Sequence, residues 1–106
     1  MAFTAAPGLL DERAIDIAIR NVEQAFSPDV VRIAHSFADD ASGCPSIFFR
    51  VLVRDEAAPA NRLLELSRRL TIALMNGVDV DDIGMHAYFN YRSVSEQKTL
   101  QDPAWN

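Results

Sequence analysis

Ser46-Ile47-Phe48-Phe49-Arg50-Val51-Leu52-Val53-Arg54 decides the fold. The stretch is dense in β-branched and aromatic residues and is bounded by Pro45 and by Asp55-Glu56, which marks it as a strand. Alternate side chains of a strand point to opposite faces. Ile47, Phe49, Val51 and Val53 therefore make one wholly apolar face, while Phe48, Arg50, Leu52 and Arg54 make a face that is half apolar and half basic. An exposed face has no need of Phe48 and Leu52, and a core has no place for two arginines. The first face predicts a covered core, the second a surface with a use.

Upstream, Asp11 reads as an N-cap, with Glu12 in the first turn where the helix dipole favours an acid. Ile15, Ala18, Ile19, Val22, Ala25 and Phe26 then recur at helical spacing, and Ser27-Pro28-Asp29 ends the helix. Val30 to Phe37 reads as a strand with Val31, Ile33, His35 and Phe37 on one face and Val30, Arg32, Ala34 and Ser36 on the other. Asp39-Asp40-Ala41-Ser42-Gly43-Cys44-Pro45 is a polar hairpin turn. Downstream, Pro59 opens a second helix with Leu63, Leu66, Leu70, Ala73 and Leu74 inside. Arg62, Glu65 and Arg69 are spaced for ion pairs on its outside, and Asn76-Gly77 is its expected C-cap. The acidic Val78-Asp79-Val80-Asp81-Asp82 leads to a third strand, about Ile83 to Arg92. Ser93-x-x-Glu96 matches a capping box and predicts a short helix to about Leu100.

The prediction is an α+β two-layer sandwich: a three-stranded mixed sheet with two amphipathic helices on one face (α-β-β-α-β), plus a short C-terminal helix. The strand from Ser46 should be central and parallel to the third, since a helix connects them. Residues 1–106 make a single domain, with 1–9 a flexible lead and 93–106 a tail. The order resembles that of the small cytoplasmic domains that dimerise cation-efflux transporters and of type II KH modules. The sequence holds neither a transporter's membrane region nor a Gly-x-x-Gly clamp, so no functional residue is carried over from either family.

The net charge of −5 argues against non-specific attraction to nucleic acid or anionic membrane. Cys44 is the one cysteine, so no internal disulfide forms and a reducing cytoplasm fits best. The first residues lack the basic start and apolar core of a signal peptide. The four glycines are scattered, with no phosphate loop, and there is no Gly-x-Ser-x-Gly or His-Glu-x-x-His. No cofactor, metal or enzymatic activity is expected. Cys44 reads as an incidental turn cysteine and Asp39-Asp40 as a solvated turn, as do Asp79, Asp81 and Asp82. His35 and His86 fall on opposite sides of the sheet and do not converge.

The face away from the helices carries Arg32, Phe48, Arg50, Leu52, Arg54, His86, Tyr88, Asn90 and Arg92. Three uses of it compete. The tail can fold back so that Leu100 and Trp105 cover its apolar members. The face can meet protein, a second copy or a different partner, because apolar patches rimmed by arginine and tyrosine mark such contacts. It can also bind single-stranded RNA or DNA, with aromatics stacking on bases and arginines on phosphates. The acidic total and the single lysine favour the second. The expectation is a homodimeric interaction module acting as an accessory or regulatory subunit, with nucleic acid as the alternative and no membrane contact.

Overall fold

The computed structural model describes residues 11–80 and 83–105. Helix α1 (Glu12–Ala25) is followed by strands β1 (Val30–Asp39) and β2 (Pro45–Val53), helix α2 (Ala60–Val78), strand β3 (His86–Ser93) and the short helix α3 (Val94–Leu100). The sheet order is β1-β2-β3, with β1 antiparallel and β3 parallel to the central β2. This is the predicted α+β architecture. The expected lead at 1–9 lies outside the described residues, as do Asp81 and Asp82 of the acidic connection.

The core lies between the apolar face of β2 and the two long helices. Ile47, Phe49, Val51 and Val53 are buried against Ile15, Ile19 and Val22 of α1 and Leu66, Leu70 and Leu74 of α2. Phe49 stacks on Phe89 of β3 with ring centroids 5.1 Å apart. Each large side chain so buried stabilises the fold by roughly 1.5–3 kcal/mol before entropy is counted. The Asp11 carboxylate accepts from the Arg13 and Ala14 amides, the expected cap. At α3 both bonds of the Ser93–Glu96 capping box form.

Three local readings are corrected. The β1 register slips between Val30 and Arg32, placing an extra residue opposite β2. The bulge turns Val30 into the core and leaves Val31 49% exposed, so both Val30 and Ile33 are buried, which strict alternation forbids. Second, α2 does not stop at Asn76-Gly77. It runs on to Val78 and is capped by Asp79 in the left-handed conformation (φ 56°). Burial of both Val78 and Val80 explains this: the helix must continue to place the first, and the chain must then turn sharply to place the second. Third, β3 begins at His86 rather than near Ile83. The outer arginines of α2 also find partners away from that helix. Arg62 lies 3.6 Å from Asp29, and the Arg69 guanidinium sits 5.5 Å from the Phe26 ring centroid.

The free edge of β1 is blocked at one position. Its Ile33 amide donates to Glu23 Oε2 of α1 at 2.8 Å, so a side chain occupies a position where another strand could add.

Candidate functional site

The nine residues expected on the second face do not form one surface. Arg54 turns away to the α1–β1 connection, where its Nε donates to Asp29 Oδ1 at 2.7 Å. Arg50 and Arg92 hold the C-terminal tail. Arg50 Nε donates to the Ala104 carbonyl at 2.7 Å, and its Nη1 to Ser36 Oγ at 3.0 Å. Arg92 donates to Gln97 Oε1 at 2.9 Å, and its guanidinium lies 4.3 Å from the centroid of the Trp105 ring, which is only 7% exposed. Such a cation–π contact contributes roughly 0.5–2 kcal/mol, more as the pair loses water. Gln97 Nε2 also donates to the Asp102 carbonyl, fixing the turn that brings Trp105 back. The tail thus covers the middle of the face with Trp105, while Leu100 is 57% exposed.

Beyond the tail, Phe48 stacks on Tyr88 at 5.1 Å with ring planes 16° apart. Phe48 is half-buried and Tyr88 is 40% exposed. Register makes this pair, since Phe48 and Tyr88 are direct partners in the parallel ladder. Leu52 lies at the other end of the face, lining with Val94, Gln97, Lys98 and Gln101 a groove of about 350 Å³. Arg32 and Asn90 are exposed.

The remaining residue, His86, belongs to a second constellation that sequence reasoning missed. In the β1–β2 turn, Asp40 Oδ1 accepts from the amides of Ser42 (2.9 Å) and Cys44 (3.0 Å), while the Asp40 amide donates to the Cys44 carbonyl. Gly43 takes the left-handed conformation (φ 82°) that this tight closure needs. The carboxylate is thereby pinned inside the turn with Oδ2 aimed across the sheet end. Tyr88 Oη donates to Oδ2 at 2.7 Å, and His86 Nδ1 lies 3.4 Å from the same oxygen. The Asp40 side chain is only 9% exposed, so this is no solvated turn acid. The Tyr88 hydroxyl first, then the Cys44 amide, hold its carboxyl down at about 2. The same bond pushes the Tyr88 phenol up.

Cys44 closes the group. Ligand-capable atoms of Asp40, Cys44 and His86 all lie within 4.8 Å of one another. Cys44 is half-buried and its carbonyl also accepts from Ser46 Oγ at 2.9 Å. Ser46 is in turn the ladder partner of His86. Parallel register therefore carries the histidine to the thiol of the turn. His35 does stay apart, on the helix side of the sheet, where burial pulls its imidazole pKa down.

No protein family, curated protein or solved structure matches the chain. Among the described residues, no helix is long and apolar enough to cross a membrane.

Proposed function

We propose that this protein is an interaction module that binds a second copy of itself through the sheet face opposite the long helices, and so serves as an accessory or regulatory subunit. The observation that carries the reading is the Phe48–Tyr88 stack, a pair of aromatic rings left partly exposed beyond the edge of the tail. Exposed aromatic and arginine groups of this kind are enriched where proteins meet. The nucleic-acid alternative is weaker on physical grounds. Of Arg32, Arg50, Arg54 and Arg92, the last three already have partners within the chain, and a phosphate would have to displace them.

Sedimentation equilibrium of the full chain tests the proposal. The expected mass is twice the 11.8 kDa of one chain, falling to a single chain in Phe48→Asp with the far-ultraviolet circular dichroism retained. A mass that Phe48→Asp leaves unchanged places any interface elsewhere, and a monomeric parent rules out self-association.

A further inference from the structure

We infer that Asp40, Cys44 and His86 form a binding site for a divalent transition-metal ion of the zinc class. One thiol, one imidazole and one carboxylate are brought within 4.8 Å of one another from a turn and the first residue of a strand 42 positions away from Cys44 in sequence (86 minus 44). Sulfur and nitrogen donors select zinc-like ions over magnesium and calcium, which take oxygen ligands. Metal–ligand bonds of about 2.0–2.3 Å in tetrahedral geometry need donor atoms roughly 3.3–3.8 Å apart. The widest pair therefore has to contract by roughly 1–1.5 Å. His86, with its side chain 58% exposed, has room to make that movement.

The surroundings are those of a supported site. Metal ligands are usually oriented by hydrogen bonds from a second layer of groups. Here the Ser42 and Cys44 amides fix one carboxylate oxygen, and the Tyr88 hydroxyl directs the other toward His86. Three protein ligands beside an exposed imidazole leave a fourth position for water. That arrangement is closer to an exchangeable or reactive site than to a closed structural one. Phe48 is not among the ligands, so this inference and the proposed interface can fail separately.

Cobalt(II) is the direct probe. The reduced, chelator-stripped full chain is titrated with Co²⁺ and then with competing Zn²⁺. One equivalent of Co²⁺ is expected to develop a thiolate-to-cobalt charge-transfer band, which Zn²⁺ abolishes. Cys44→Ala removes the band. Cys44→Ala and His86→Gln each weaken Zn²⁺ by at least ~100-fold, and Tyr88→Phe, which touches only the second layer, weakens it by about 10-fold. Circular dichroism on each variant distinguishes a lost ligand from a lost fold. Failure of the parent to develop the band overturns the inference. So does Zn²⁺ affinity that survives in the Cys44→Ala/His86→Gln double variant, which identifies the binding as adventitious surface carboxylates.

Discussion

The two faces of β2 differ by one residue in sequence and by a whole class of interaction in structure. Toward the helices, Ile47, Phe49, Val51 and Val53 are closed off by long amphipathic segments, with no more than 1% of any of them exposed. Toward the tail, Phe48, Arg50 and Leu52 stay half-buried, and what covers the middle is the Ala104–Trp105 segment, held by guanidinium contacts and one indole. Apolar burial is nearly irreversible short of unfolding. A single hydrogen bond such as that from Arg50 to Ala104 can be exchanged for water or for a partner at small net cost, because each is worth only about 0.5–1.5 kcal/mol. One face stores the stability and the other is available for exchange.

The comparison breaks most readily at Phe49 and Phe48, adjacent phenylalanines of opposite facing. Phe49→Ala should cost about 3–5 kcal/mol in urea unfolding, a large part of a small domain's total, whereas Phe48→Ala should cost about 1 kcal/mol. Equal losses would mean the tail side is as much a core as the helix side. Trp105→Ala should fall between them, at about 2 kcal/mol, from its buried ring and the Arg92 contact. Hydrogen exchange would then quicken in α3 while the β2 amides keep their protection; acceleration throughout the sheet would show that the tail supports the core.

The smallest expected effect is a pH dependence on the helix side. Burial lowers the His35 pKa below its ordinary value of 6.5, with Arg50 acting in the same direction and Asp16 and Glu12 opposing. The unfolded chain therefore binds the proton more readily than the folded one. The His35 contribution is fully present above about pH 6.5 and is lost progressively as pH falls from there through the lower folded value. His35→Gln should flatten the stability profile between neutral pH and 5. Asp40 does not confuse the test, since its contribution is lost only as pH falls from 3.8 through about 2. An unchanged profile in His35→Gln would place that proton elsewhere.

Much of this architecture was legible because it depends on periodicity. The α1 and α2 stripes, the alternation along β2, the central placement of that strand and the Ser93–Glu96 capping box are local patterns with a single reading. The misreadings have a common origin in tertiary demand. Val30 is buried because a bulge satisfies both Val30 and Ile33, and Gly77 stays helical because Val78 has a place in the core. Of the second face, its members could be named but not their partners. The arginines were visible as charge, yet only the return of the tail assigns Arg50 and Arg92 to Ala104 and Trp105. The Asp40, Cys44 and His86 group was beyond reach for the same reason. Hairpin spacing places Asp40 near Cys44, but the parallel register that brings His86 alongside is fixed by the packing of α2, not by any short motif.

The carboxylate of Glu23 on the Ile33 amide has a consequence for how copies of this protein can associate. A sheet that grows from molecule to molecule without limit needs two open edges on every member. Adding a strand at β1 would break this bond and trap an acidic group against backbone carbonyls. Growth through that edge is thereby opposed at this position, whereas the sheet face opposite the long helices is untouched by it. One side chain thus guards a backbone position that would otherwise be open to strand addition.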